Sequence, residues 1–196
     1  MGGGVKHMTL RSVIIRILYG PTIRRQACFI VTEEILNYNL FYSKEITIEE
    51  LSTETCNKVL DIREEHVKAA FERMVKNSVV VVAKWNKRIV GHAILKPDGQ
   101  ISECTQVWKN KNYIHYCYVD PKYRGRNIYP YMLVYLAQRV FKDQAKQQVY
   151  ISADYKNYSS IRGIHKAGFY HWANLTEFGW GRIVLFYKVK IVQYKK

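Results

Sequence analysis

Two arginines flank a glycine directly ahead of a helical pattern in the segment YRGRNIYPYML, at residues 123–133. Arg124 and Arg126 carry fixed positive charge, and Gly125 permits a positive φ and a close approach of the backbone to a ligand. The start of a helix adds unpaired N–H groups and the positive end of the helix dipole. This combination is typical of a phosphate or pyrophosphate site, and a basic surface turn is the simpler alternative.

The flanking residues predict a strand–turn–helix unit that positions this segment. A strand is expected over 113–119 and ends before Pro121, and a helix is expected over 127–142. Pro130 falls in the first turn of that helix, where a missing N–H group costs little. The spacing is not that of a P-loop, since no Gly-Lys-Ser/Thr follows, and it is not GxGxxG.

The rest of the chain alternates between strand and helix patterns. The clearest hairpin turns at Asn86 and Lys87. Two strands are expected at 12–20 and 26–35, on either side of a turn at Pro21. Further strands are expected at 45–51 and 148–155. A final antiparallel pair is expected to turn at Gly179 and Gly181. Helices are expected over 52–77 and in a short segment capped by Asn157 and closed at Gly168.

This order of elements predicts an α/β (α+β) fold, with one mixed, mostly antiparallel central sheet flanked by helices. Residues 1–8 are expected to be an expression scar or tail, and residues 9–196 a single domain. Within it, we expect an extra N-terminal β-hairpin at about 10–36 ahead of a core at about 45–190.

Composition narrows the class of protein. Of the 196 residues, 48% are hydrophobic and 24% are charged, which is typical of a globular protein with a sizeable core. The formal charge of +15 favours an anionic partner. The four cysteines form no CxxC pair, so we expect no metal site and no disulfide framework. No apolar run reaches membrane-spanning length and no secretory segment is seen, so a cytoplasmic location is expected.

Two motifs together resemble the GCN5-related N-acetyltransferase (GNAT) family. Its first signature is Arg/Gln-x-x-Gly-x-Gly/Ala after the fourth core strand, and those positions hold Arg124, Asn127 and Tyr129 in VDPKYRGRNIYPYML. Its second signature is an Asn-x-x-Ser/Ala helix that ends in Gly-Phe, and the matching residues in NYSSIRGIHKAGF are Asn157, Ser160, Gly168 and Phe169. RIVGHAIL, with Gly91, is similar to the family's third strand.

Asn127 and Tyr129 stand where the family usually has small residues, and a tyrosine there would crowd the cofactor unless its ring points away.

The resemblance implies that acetyl-CoA is the co-substrate, that no metal is needed, and that it binds where the strand over 113–119 diverges from the strand over 148–155. Amides at Cys117 and Val119 would bond the pantetheine arm. The expected pyrophosphate site comprises Arg124, Gly125, Arg126, Asn127, Ile128 and Tyr129. Asn157 and Ser160 would face the cofactor from the short helix.

The catalytic candidates rest on the need for a neutral amine nucleophile, whose proton must be accepted by a base or a water relay. His115 is the first candidate, because it lies two residues before Cys117 and is expected on the same cleft-lining face. A buried structural histidine is the alternative, and His92 and Glu103 are further candidates for the base. The family's thiolate-protonating tyrosine falls at Ile164, which leaves Tyr158, Tyr155 or a water for that role.

The resulting hypothesis is an acetyl-CoA-dependent N-acetyltransferase that transfers acetyl directly to a small amine acceptor. Trp108 beside Lys109 and Lys111 suggests an anionic acceptor, and a nucleotide-linked amino sugar is the first choice. The motifs are also similar to members associated with surface-polysaccharide biosynthesis. The alternative is a catalytically degenerate nucleic-acid-binding module on the same fold, although no nucleic-acid-binding signature is seen. A homodimer is left open.

Overall fold

The computed structural model describes residues 21–40, 43–51, 77–97, 106–143, 147–180 and 183–192. Eight strands form a single sheet within these ranges. The strands are β1 (Pro21–Val31), β2 (Ile46–Leu51), β3 (Val79–Trp85), β4 (Arg88–Lys96), β5 (Asn112–Val119), β6 (Val149–Asp154), β7 (Tyr170–Trp180) and β8 (Ile183–Ile191). The α-helices in the same ranges are α1 (Ile128–Asp143) and α2 (Tyr158–Lys166). The expected helix over 52–77 lies outside the described residues, apart from its last residue.

The sheet confirms the expected mixed, mostly antiparallel architecture. Its strand order is β2-β3-β4-β5-β6-β1-β7-β8, and β5–β6 is the parallel pair among otherwise antiparallel neighbours. The β3–β4 hairpin turns at Asn86 and Lys87, whose φ values of 48° and 70° suit a type I′ turn. The predicted strand over 45–51 and the final antiparallel pair are confirmed as β2 and β7–β8. Gly179 lies within β7 at a register shift, and Gly181 lies outside the described residues.

The N-terminal strand lies inside the sheet. β1 pairs with β6 on one side and with β7 on the other, so both of its edges are bonded. The turn expected at Pro21 is wrong, because Pro21 is the first residue of β1 and faces Trp180 of β7. Proline is tolerated at the first position of a strand, where one absent donor interrupts little of the ladder. The other half of the expected hairpin, 12–20, lies outside the described residues.

Helix α1 covers one face of the sheet with an apolar stripe. Ile128, Met132, Leu136 and Val140 follow each other at intervals of four residues, as expected from the sequence, and all four are buried. They pack in one cluster with β-strand residues such as Ala93. The cluster fixes the start of α1 against the middle of the sheet.

Helix α2 begins and ends at the residues that the sequence predicts. The Asn157 side chain accepts a hydrogen bond from the Ser160 N–H group at 3.1 Å, which confirms the cap. Gly168, with φ 95°, donates its N–H group to the His165 carbonyl at 2.9 Å. A Cβ atom at Gly168 would lie 2.8 Å from the Asn37 backbone nitrogen and closer still to the Ile35 carbonyl oxygen. Gly168 therefore satisfies both a left-handed turn and a close backbone approach.

We expect Gly168→Ala to lower the free energy of unfolding by about 2 kcal/mol or more, because a strained φ and a backbone clash act together. Gly125→Ala is the matched control, since Gly125 has a φ of 81° but no atom within 4 Å of the position of an added Cβ. That control should lose only about 1 kcal/mol, the cost of the left-handed conformation alone. Urea unfolding measures both variants. Equal losses would contradict the close approach at Gly168.

Candidate active site

A cleft opens where two neighbouring strands stop pairing. β5 and β6 are bonded only over Asn112–Ile114 and Val149–Ile151, and the rest of β5 has no β6 partner. A cavity of about 680 Å³ lies between this part of β5 and the first turns of α1 and α2. All of the predicted cofactor-binding residues except Arg126 line it, namely Cys117, Val119, Arg124, Gly125, Asn127, Ile128, Tyr129, Asn157 and Ser160.

The turn that leads into α1 is shaped by local hydrogen bonds and two left-handed residues. The Asp120 side chain accepts from the Lys122 N–H group at 3.0 Å and caps a short 3-10 turn. Gly125 and Asn127 have φ values of 81° and 58°. Asn127 then accepts the first helical bond, from the Tyr131 N–H group at 3.0 Å. The helix therefore starts at the wall of the cleft, where its first N–H groups have no intrahelical acceptor.

The two arginines of the motif have different surroundings. The Arg124 Nε atom donates to the Val119 carbonyl at 3.1 Å, and Arg124 lines the cleft. The Arg126 guanidinium lies over the Trp85 ring, 4.5 Å from its centroid, with Tyr123 also nearby. Cation–π attraction to these rings explains why Arg126 is absent from the cleft lining. The side-chain contribution expected from Arg126 does not fit this position, and its backbone N–H group remains a candidate donor.

Two basic residues that the sequence analysis missed also line the cleft. Arg162 and Lys166 lie on α2 with Ser159, at the i, i+3 and i+7 spacing of one helix face. The Lys166 Nζ atom donates to the Asn127 side-chain oxygen at 3.2 Å and so links α2 to the turn before α1. Continuing the helical spacing from the Asn157 cap would have found them.

Tyr129 occupies the position expected to crowd a cofactor. Its ring packs against α2, where Gly163 leaves the room: a Cβ atom there would lie 2.5 Å from the ring Cδ1 atom. Burial raises the pKa of Tyr129 well above its ordinary value, and the nearby Ser160 side chain acts in the opposite direction. The ring and the glycine on the facing helix thus form a complementary pair, and Tyr129 still lines the cleft.

A β-bulge places His115 on the other face of the sheet from Cys117. His115 pairs with Ile94 and Tyr118 pairs with His92, so two residues of β5 oppose one residue of β4. Tyr116, with φ 52°, lies in this bulge. The expectation that His115 shares a face with Cys117 is therefore wrong, because the bulge breaks the alternation of side chains. Its catalytic role remains a prediction.

His115 is held neutral by its surroundings. Burial, and then the nearby Lys96 ammonium, lower the pKa of His115 to about 4. Its Nε2 atom is buried and has no hydrogen-bond partner among the described residues, and its ring stacks on Tyr113. A buried ring nitrogen without a protein partner is a natural contact for a substrate or water.

Those of the remaining catalytic candidates that the structure describes do not line the cleft. Tyr158 is 69% exposed and does not line it, and Ile164 is fully buried beneath α1. The Tyr155 hydroxyl is bonded to Asn174. Glu103 lies outside the described residues. His92 is buried beside the rings of Tyr116 and Tyr118.

Burial also argues against direct contact with substrate for two further side chains. Burial raises the pKa of the Cys117 thiol to about 12, so this thiol stays protonated and is a poor nucleophile. Trp108 is only 1% exposed and stacks on Tyr113 at 4.3 Å between centroids. The expectation that Trp108 stacks on an acceptor is wrong, because its ring is part of the core. Lys111 instead donates to the Val107 carbonyl at 2.8 Å.

The fold and cleft define an α/β protein with a cleft between diverging strands that is lined by basic side chains. The model of the Acetyltransferase (GNAT) family matches residues 46–169, and the chain belongs to this family. No curated protein matches significantly. In the described ranges, no group of three or more His, Cys, Asp or Glu residues could hold a metal ion, and no helix is long and apolar enough to cross a membrane.

Solved structures share this fold at low sequence identity. A GNAT-family acetyltransferase from Colwellia psychrerythraea is 12% identical with a TM-score of 0.58, and the match covers 87% of this chain and 62% of that one. A GCN5-related N-acetyltransferase from Kribbella flavida is 14% identical with a TM-score of 0.51, and the match covers 83% of this chain and 60% of that one. AAC(6')-Iy in complex with the bisubstrate analogue CoA-S-monomethyl-acetylneamine is 11% identical with a TM-score of 0.50. That match covers 65% of this chain and 92% of the other. The chain thus spans about three fifths of the first two proteins.

The low pKa of His115 gives a stability prediction. The folded state resists protonation of a group whose ordinary pKa is 6.5, so stability is greatest above pH 6.5 and falls as the pH drops towards 4. This group alone should cost up to about 3 kcal/mol over that window. Urea unfolding at several pH values should show a smaller loss for His115→Gln, which cannot be protonated.

Lys96→Met tests the cause of the shift. Removal of the nearby ammonium should raise the pKa of His115 towards 6.5, as followed by NMR titration of the imidazole, and should make the loss of stability on acidification smaller. An imidazole that titrates near 6.5 in the unmodified protein would contradict its burial.

Proposed function

We propose that the protein is an acetyl-CoA-dependent N-acyltransferase that transfers the acetyl group directly to an amine acceptor. The observation that carries this proposal is the cleft itself, in which the unpaired part of β5 meets the first turn of α1 beside basic side chains. Family membership supplies the class of chemistry. The fold shared with a protein that carries a CoA-containing bisubstrate analogue is consistent with it.

Each wall of the cleft offers a different kind of binding group. The part of β5 around Cys117 and Val119 has no β6 partner, so its backbone groups can bond an extended ligand as an added strand would. The amides from Gly125 to Tyr129 suit a pyrophosphate at a helix start. Arg124 and, from α2, Arg162 and Lys166 add positive charge, as a ligand with several phosphate groups requires.

The acceptor amine is proposed to approach the face of the sheet that carries His115. A bound acetyl-CoA supplies an activated thioester, and the attacking amine must lose a proton. His115 is neutral at pH 7, so it can accept a proton, but a pKa of about 4 makes it a weak base. It fits a member of a water relay better than a terminal base.

The charges on this face bear on the acceptor class. Lys96 lies close enough to His115 to lower its pKa, and the whole chain carries a formal charge of +15. Such a field disfavours cationic amines and favours an acceptor with negative charge. A nucleotide-linked amino sugar belongs to that class, although the burial of Trp108 removes the stacking contact first considered for it.

The nucleic-acid-binding alternative depends on exposed aromatic rings and a basic surface. The aromatic residues around the strand before the motif, Trp108, Tyr113 and Tyr150, are buried, and the exposed rings lie elsewhere on the protein, as at Tyr158, Trp180 and Phe186. Calorimetric titrations with acetyl-CoA and with a single-stranded oligonucleotide separate the two functions. Binding of the oligonucleotide without binding of acetyl-CoA would overturn the enzyme proposal.

We expect Arg124→Ala to weaken acetyl-CoA binding by roughly tenfold or more, since a hydrogen bond to a charged group contributes about 1.5–3 kcal/mol. Arg126→Ala should have a much smaller effect because its guanidinium lies on Trp85. Calorimetry measures both dissociation constants. Arg139→Ala, which removes an α1 cation paired with Glu50 outside the cleft, controls for the loss of net charge. Equal effects of Arg124→Ala and Arg126→Ala would contradict this assignment.

A further inference from the structure

One corner of the sheet, where β1 begins and β7 passes into β8, carries large apolar side chains that face solvent. Ile23 on β1 is 61% exposed, Trp180 at the end of β7 is 50% exposed, and Phe186 on β8 is 60% exposed. Phe178, which is half-buried, lies between Ile23 and Phe186 in the strand register. A contiguous group of this kind marks a contact site, whereas single exposed apolar residues do not. These residues, Ile23, Phe178, Trp180 and Phe186, form the apolar corner.

Strand pairing places the apolar corner on one face of the sheet. Ile23 faces Phe178 across β1 and β7. Phe178 in turn faces Phe186 across β7 and β8, where the two rings stack with 4.7 Å between their centroids. Side chains directly opposite each other project from the same face of a sheet. Trp180 follows Phe178 by two residues and faces Pro21, so it continues this face to the end of β7.

Basic side chains form the next row of this face, further from the end of β7. Arg25 on β1 and Lys188 on β8 both face Thr176 of β7, one on each side of it, and both are exposed. Alternation along the strands puts them on the same face as the apolar corner, two residues behind it. Lys190, two residues beyond Lys188, is also exposed. These three cations, Arg25, Lys188 and Lys190, form the basic band.

The three strands carry no exposed acid that would neutralise the basic band. The one acidic residue of β1, β7 and β8 is Glu177, which is buried and accepts a hydrogen bond from the Gln26 side chain at 3.2 Å. Arg25 and Lys188 form no salt bridge with other residues that the structure describes. Their charges can therefore interact with anions outside the protein.

We propose that the apolar corner and the basic band bind the surface of an anionic lipid bilayer. The apolar side chains enter the boundary between headgroups and acyl chains, and the basic band lies at the level of the lipid phosphates. Apolar burial together with attraction to anionic lipids holds peripheral proteins at this interface, where tryptophan is enriched. None of these residues lines the cleft, so the site goes beyond the proposed function and is independent of it.

The order of the rows favours a bilayer over a nucleic acid. The apolar part of a bilayer lies beneath its phosphates, so a docking surface needs apolar groups at its leading end and cations behind them. A single-stranded nucleic acid instead needs open ring faces along a basic groove. In the apolar corner the Phe178 and Phe186 rings stack on each other, and Ile23 in the same row has no ring.

Charge and size disfavour a second copy of the chain as the partner. A stable protein interface engages about 20–30 residues a side, whereas the apolar corner has four. β8 is the edge strand of the described sheet, but pairing of two copies through it would bring Lys188 and Lys190 close to the same residues of the other copy. Lysines on an edge strand oppose such pairing.

Vesicle binding by the full chain tests this site. Vesicles of phosphatidylcholine alone are compared with vesicles that contain roughly one third phosphatidylglycerol, and sedimentation measures the bound fraction. We expect binding to the anionic vesicles, weakened by added salt, and little binding to the neutral ones. Phe186→Ser and Lys188→Glu should each lower the partition coefficient by roughly fivefold or more, because one removes apolar burial and the other reverses a charge at the interface.

Each of these variants has a matched control far from the apolar corner. Ile35 is exposed and lies beyond the other end of β1, and Lys44 is exposed ahead of β2, the opposite edge strand of the sheet. Ile35→Ser removes an exposed apolar side chain, and Lys44→Glu changes the net charge by the same amount as Lys188→Glu. Both controls should bind vesicles as the wild type does.

Tryptophan fluorescence reports whether the apolar corner enters the bilayer. Lipids brominated in their acyl chains should quench part of the emission of wild-type protein on anionic vesicles. That quenching should be lost in Trp180→Phe, because the remaining tryptophans lie away from the apolar corner, namely Trp85, Trp108 and Trp172. Equal quenching in wild type and Trp180→Phe would overturn the proposed orientation.

The remaining outcomes decide between the possible partners. Absence of binding to the anionic vesicles at low salt would overturn the inference, and so would equal losses in Lys188→Glu and Lys44→Glu. An oligonucleotide complex or a dimer that Phe186→Ser abolishes, without vesicle binding by the wild type, would overturn it in favour of that partner. If Phe186→Ser does not fold, Lys188→Glu and its control decide. Vesicle binding by a protein that does not bind acetyl-CoA would support this site while overturning the proposed function.

Discussion

The site depends on the divergence of β5 from β6. These strands pair in parallel for only three residues, and the bulge at Tyr116 follows directly. A bulge increases the local twist and bends its strand, which turns the rest of β5 away from β6. On the other side, β4 approaches closely: a Cβ atom at Gly91 would lie 2.8 Å from the Tyr118 carbonyl oxygen. β5 therefore stays bonded to β4 while its opposite edge is released to form the cleft.

The rest of the sheet keeps β6 in place while β5 departs from it. β1 bonds the free side of β6 over Gln26–Val31, so β6 cannot follow its neighbour. Below the point of divergence, the ring of Trp108 stacks on Tyr113 and also contacts Tyr150 of β6. This aromatic cluster joins the two strands where they pair, and α1 covers the other face. An opening of limited length results, with a helix start at its edge.

Local features of the chain could be predicted from the sequence, and non-local ones could not. The Asn86–Lys87 hairpin, the α1 stripe, the Asn157 cap and the Gly168 terminus each follow from a few adjacent residues. Most of the cleft lining was also predicted, because two motifs carried it. The insertion of β1 between β6 and β7 depends on pairing partners far along the chain.

The wrong predictions at the site also concern features that adjacent residues in the sequence do not show. A tyrosine at position 116 does not indicate a left-handed backbone, so the alternation expected of a regular strand placed His115 and Cys117 on one face. Arg126 was assigned to the ligand because its aromatic partner, Trp85, lies on a distant strand. The fit of Tyr129 against Gly163 pairs two helices, and either motif alone shows only a large residue in a small residue's place.

Hydrogen–deuterium exchange with and without CoA tests the central claim, that the released edge of β5 and the start of α1 form the binding site. CoA should slow exchange of the amides over 115–119 and 125–129, because these groups become donors to the ligand. The β3–β4 turn at Asn86 and Lys87 should exchange at the same rate in both states. Unchanged exchange over both segments at saturating CoA, or protection confined to other parts of the sheet, would contradict this claim.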